Sequence, residues 1–85
     1  MGSYRLLIKR SAAKELERLP VKARRRIAAQ IRTLSTTPRP VGIQQLSGQQ
    51  RYRLRQGDYR VLYAIDDETR TVTVVAVGHR RDVYR

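Results

Sequence analysis

Apolar and polar positions change their period along this 85-residue chain. Residues 4–9, YRLLIK, make a short β-leaning run. Periodicity does not separate a strand from a helical segment in so brief a run, and composition reads it as a first strand. Ser11 is placed to cap a helix whose apolar positions Ala12, Ala13, Leu16 and Leu19 fall on one side at helical spacing, with Pro20 ending it. Proline is tolerated in a first turn, so Pro20 also opens a second helix running to about Leu34, with Ile27, Ile31 and Leu34 as its apolar stripe.

The breaker-rich STTPRPVG closes the helical part. From Arg51 the pattern shortens to β-type runs, RYRLRQ, YRVLYAID and TVTVVAV, separated by GD and by DETR. Thr71–Val77 is apolar at nearly every position after Thr73, which suits a strand covered on both faces and interior to its sheet. The order β-α-α-β-β-β predicts an α+β fold: two N-terminal helices packed on one face of a small, mainly antiparallel four-stranded sheet. Residues 1–85 suffice for a single domain, one that buries only ~60% of the surface its unfolded chain exposes.

Gly57-Asp58 fits a two-residue hairpin turn with glycine at a first position of positive φ. That turn sets Gln56 opposite Tyr59, Arg55 opposite Arg60, Leu54 opposite Val61, Arg53 opposite Leu62 and Tyr52 opposite Tyr63. Side chains alternate along a strand, so Tyr52, Leu54, Val61 and Tyr63 share a face that can cover the helices, while Arg53, Arg55 and Arg60 share the other. A three-residue turn would mix the two sets. Arg55 opposite Arg60 is unfavourable by itself. A ligand phosphate would relieve it; so would splaying into water, or neutralisation by Asp58 or Asp82.

Charge gives these arginines a direction. Nineteen Lys and Arg stand against seven Asp and Glu, a net +12, and a polyanion is the expected partner. Arginine outnumbers lysine sixteen to three, and its planar fork suits bidentate phosphate contact. Residues 1–50 carry +9 and residues 51–85 carry +3, which marks the N-terminal half as the electrostatic face. Lys22, Arg25, Arg26 and Arg32 on the second helix suit a solvated face that also steers phosphate.

The absence of cysteine excludes disulfides, a thiolate nucleophile and the usual zinc fingers, and fits a cytoplasmic setting. No apolar run approaches a membrane span, and the N-terminus has no signal-peptide pattern. There is no Gly-rich phosphate loop, carboxylate pair for two metals, or acyl-transfer triad, so no cofactor or metal is expected. Asp66, Asp67 and Glu68 fall in a hairpin turn and read as turn chemistry.

The ending GHRRDVYR concentrates further chemistry. Gly78 is expected to turn the backbone and carry His79, Arg80 and Tyr84 over the arginine face. Cleaving RNA without a metal needs a group to deprotonate the 2′-hydroxyl, cations for the phosphorane, and a group to protonate the leaving 5′-oxygen. Arg53, Arg55, Arg60 and Arg80 stay protonated and are electrostatic. His79 titrates near neutrality and suits proton transfer, or simply faces solvent. Tyr84 suits a base if cations lower its pKa, or a ring that stacks on a nucleobase.

The strand and helices around SAAKELERLP, the LSG at Leu46–Gly48, the hairpin YRLRQGDYRVLYAID and the ending VGHRRDVYR together resemble the RelE/ParE superfamily of bacterial toxins, on the RelE side. The resemblance implies a ribosome-dependent endoribonuclease that cleaves mRNA in the A site of the small subunit by metal-independent 2′-hydroxyl attack, inhibiting translation. It places the family's basic pair on Arg53 and Arg55, the arginine of the YR strand start on Arg60, the arginine after VG on Arg80, and the late tyrosine on Tyr84. Arginines stand where lysines are common in the second strand, which shifts proton transfer towards Tyr84 and His79. The resemblance also implies a cognate RelB-like antitoxin, acidic and partly disordered, suited to a +12 partner. Two alternatives share the fold: a ParE-like DNA gyrase inhibitor without RNase activity, whose relatives generally lack the Arg60, Arg80 and Tyr84 set, and a passive basic RNA-binding module.

Overall fold

The computed structural model describes residues 3–46 and 50–81. The elements are β1 (Arg5–Ile8), α1 (Arg10–Glu17), α2 (Val21–Thr33), β2 (Gln44–Gln45), β3 (Arg51–Gln56), β4 (Tyr59–Asp66) and β5 (Thr71–His79). Among the described residues they form one sheet in the order β1-β5-β4-β3-β2. β1 runs parallel to β5 and the other pairs are antiparallel. The expected two helices and four strands are present, joined by the two-residue β2 at the edge beside β3.

α1 starts before the expected cap at Ser11. The backbone N–H of Lys9 donates to the Val74 carbonyl at 3.0 Å, and the Lys9 carbonyl accepts from Ala13 at 2.9 Å. One residue therefore closes the strand ladder and opens the helix. Ser11 falls inside the first turn, and no side chain caps it. α2 has Pro20 at its cap, again without a side-chain cap.

The core lies between the helices and one face of the sheet. Ala12, Ile27, Ile31 and Leu34 from the helical half bury against Tyr52, Leu54, Val61, Tyr63, Ile65, Val72, Val74 and Val77. Val74 and Val77 are three apart, a spacing that strict alternation would place on opposite faces. A β-bulge resolves this. Leu62 pairs with Ala76 and Tyr63 with Val74, so Val75 is the extra residue. β5 is interior to the sheet as expected, but it is not covered on both faces: Val72, Val74 and Val77 are buried under the helices, while the residues of the other face are only half-buried. Where β1 has ended, the edge of β5 is closed by α1: Glu15 Oε1 accepts the Val77 N–H at 3.0 Å.

The loop after α2 is fastened across the same side. Tyr63 is fully buried and its hydroxyl donates to the Pro38 carbonyl at 2.9 Å. Arg39 makes a two-pronged pair with Asp67 at 3.1 and 2.9 Å, donates from Nε to the Tyr52 hydroxyl at 3.2 Å, and lies over the Tyr52 ring. Tyr52 stacks on Tyr63 with centroids 5.8 Å apart. Tyr4 donates its hydroxyl to Asp67 at 2.7 Å.

Candidate functional site

The β3–β4 hairpin has the predicted register at all five positions, from Gln56–Tyr59 to Tyr52–Tyr63. Gly57 has φ +59°, the backbone conformation its turn position requires. Tyr52, Leu54, Val61 and Tyr63 are buried, whereas Arg55 is exposed and Arg53 and Arg60 are half-buried. The three arginines thus share the face turned away from the helices. Alternation adds Arg51, paired with Ala64, to the same face. Along β3 this gives a guanidinium every ~7 Å.

Neighbouring strands shape this face. Gln44 of β2 is the Cα partner of Arg53, and its side-chain oxygen accepts from the Arg53 guanidinium. On the other side, Gly78 is the Cα partner of Arg60. Glycine supplies no side chain there to compete with Arg60 for space on that face. Arg60 itself makes a long 3.4 Å contact with the Tyr59 carbonyl. Among the described residues the single ion pair is Arg39–Asp67, so Asp58 does not neutralise Arg55 or Arg60; Asp82 lies outside the described residues.

The ending departs from expectation. Gly78 does not turn the chain off the sheet, because pairing continues to His79 opposite Tyr59. Counting from buried Val77, His79 falls on the helix side. Its ring meets Tyr59 edge-on at 5.9 Å and 82°, and its Nδ1 accepts the Arg81 N–H at 3.3 Å. The structure therefore does not bring His79 together with Arg53, Arg55 and Arg60. Arg80 follows at the hairpin tip, its N–H donating to the Asp58 carbonyl at 2.8 Å. Tyr84 and most of the LSG loop, Ser47 and Gly48, lie outside the described residues.

Sequence reasoning missed Arg39, Gln44 and Arg51. Arg51 was available from alternation, since it precedes Arg53 by two. Gln44 and Arg39 act through partners distant in sequence and left no local signal beyond the prolines flanking Arg39. The Asp66–Glu68 turn divides its work. Asp66 Oδ1 accepts the N–H groups of Glu68 and Thr69, as turn chemistry requires. Asp67 is held below the usual carboxylate range by Arg39 and by the Tyr4 hydroxyl. Burial, followed by the nearby Tyr52, pushes the Tyr63 hydroxyl up to about 12.

A family profile described as "ParE toxin of type II toxin-antitoxin system, parDE" matches residues 6–84. Toxin RelE of Mycobacterium tuberculosis is 35% identical over 86 residues, covering 96% of this chain and 87% of that toxin. Toxin RelG of the same organism is 53% identical over 34 residues, a local match spanning 40% of this chain and 39% of RelG. Among solved structures, a chain of the M. tuberculosis toxin-antitoxin complex RelBE2 superposes with a TM-score of 0.79 at 31% identity, covering 92% of this chain and 99% of that one.

Proposed function

Because this chain belongs to the ParE toxin family of type II toxin-antitoxin systems, within the RelE/ParE superfamily, we propose that it is a ribosome-dependent endoribonuclease that cleaves mRNA in the A site. It is a type II toxin of the RelE type. The observation that carries the finer reading is the hairpin register, which gathers Arg53, Arg55 and Arg60 on one face of the sheet, with Gly78 as the partner of Arg60.

In this reading the message lies across that face. Loss of the 2′-hydroxyl proton lets the 2′-oxygen attack the adjacent phosphorus. The bond to the 5′-oxygen then breaks, and that oxygen takes up a proton, leaving a 2′,3′-cyclic phosphate and a free 5′-hydroxyl. Arg53, Arg55, Arg60 and Arg80 stabilise the extra negative charge of the phosphorane and exchange no proton. The placement of His79 on the other side of β5 favours Tyr84 as the proton-transfer group. No step calls on a metal or cofactor.

The RelBE2 relative is a toxin–antitoxin complex, which supports a RelB-like antitoxin as cognate partner, and the +12 charge suits an acidic one. A second reading, gyrase inhibition without RNA cleavage, draws on the ParE description of the family. Primer extension on mRNA from translating ribosomes tests the first. Wild type should produce A-site cuts, and Arg60→Ala and Tyr84→Phe should fold but lose them. Undiminished cutting by both variants would reject the site. A wild type that leaves message intact but blocks gyrase supercoiling would favour the second reading.

A further inference from the structure

Behind the arginine face, on the helix side of the hairpin tip, a cavity of ≈ 270 Å³ opens between the start of α2 and the turn. Pro20 and Ala23 give it an apolar wall, Tyr59 is part of its lining, and Lys22, Arg26 and Asp58 bring charge to it. None of these three charged groups takes part in an ion pair among the described residues. α2 starts without a side-chain cap or an acidic residue in its first turn, which adds orphan N–H groups near the cations.

An aromatic ring, an acceptor-only carboxylate and a pair of cations in one groove match the parts of a nucleotide. Guanine presents two adjacent donors, N1–H and N2–H, to the two oxygens of a carboxylate, whereas adenine and uracil offer no such pair. We propose that this groove is a subsite for a guanosine nucleotide of the RNA, with Tyr59 stacking the base, Asp58 accepting from its N1–H and N2–H, and Lys22 and Arg26 holding its phosphate. The proposal rests on the RNA-cleaving reading above and extends it: the hairpin tip is two residues wide, so a strand crossing Arg55 and Arg60 can bend over Gly57 into the groove. Arg80, tied to the Asp58 carbonyl at 2.8 Å, steadies the turn between the two surfaces.

The test is titration of the isotope-labelled protein with 5′-GMP, 5′-AMP, 5′-CMP and inorganic phosphate, followed by amide NMR shifts. 5′-GMP should move Lys22, Ala23, Gly57, Asp58 and Tyr59 and bind about tenfold more tightly than 5′-AMP. Asp58→Asn should erase that preference while tightening inorganic phosphate, because a repelling charge is gone. The Lys22→Ala/Arg26→Ala variant should weaken all three nucleotides alike. The subsite is overturned if phosphate alone moves the groove as strongly as 5′-GMP, if shifts are confined to Arg55, Arg60 and Gly78, or if a glutamate-rich peptide fills the groove and 5′-GMP does not. Cleavage assays on the same samples separate the two ideas. Groove binding by a protein that cuts nothing would sink the nuclease reading alone, and cutting without groove binding would sink the subsite alone.

Discussion

Arg55 and Arg60 are direct cross-strand partners on one face of the sheet, two like charges in register without an intervening acid among the described residues. Such a pair destabilises the hairpin that bears it by a few tenths to ~1 kcal/mol. Arg55→Gln should therefore raise stability by about that amount in low salt without added anion, as measured by urea denaturation. Phosphate should raise the midpoint of wild type more than that of the variant. Equal phosphate responses would mean that the pair is not an anion site.

The turn that makes the pair depends on Gly57. Its φ of +59° is the left-handed region, and a β-carbon there would meet nothing within 4 Å, so the penalty of substitution is conformational alone. Gly57→Ala should lose about 1–2 kcal/mol, and Gly57→Asn, which tolerates that region, distinctly less. Identical losses in the two variants would point to some other cause.

His79 provides the sharpest separation of roles. Removing a general acid or base typically costs about a hundredfold or more in rate. With its ring against Tyr59 on the helix side, His79→Ala should lose far less than that in ribosome-dependent cleavage, while Tyr84→Phe should lose at least that much. A hundredfold loss in His79→Ala with an intact fold would return the histidine to the reacting phosphate.

Two titrations bound the stability profile. Asp67 has a lowered pKa in the fold, so its contribution is present above the unfolded carboxyl value of about 4 and lost as pH falls through the folded value. Asp67→Asn should flatten the acid limb of the unfolding curve. Tyr63 is raised to about 12, so its contribution is complete below an unfolded value of about 10 and lost as pH climbs through 12. Tyr63→Phe should remove that alkaline loss, while giving up about 1 kcal/mol at neutral pH with the hydrogen bond to Pro38.

The hairpin was legible because three local signals agree: alternation in RYRLRQ and YRVLYAID, a glycine where positive φ is needed, and arginines that only one register keeps off the core. The tail was not. Gly78 reads as a breaker in isolation, yet its pairing with Arg60 is a long-range fact that carries the strand to His79 and reverses the expected side of the ring. The bulge at Val75 escaped for a related reason, since the run TVTVVAV is apolar in either phase. Gln44–Gln45 has no strand signature at all and pairs only because Tyr52 and Arg53 offer an edge. The Arg39 clamp unites residues up to 63 positions apart, from Tyr4 to Asp67, beyond the reach of any periodicity.

Among the described residues β1 pairs with the sheet through β5, the last of its strands in chain order. A chain halted anywhere before residue 71 has nothing for Arg5–Ile8 to dock on, and α1 loses the strand edge that Glu15 closes. Docking of the first strand and completion of the core are therefore one late event in synthesis, set by the moment β5 becomes available.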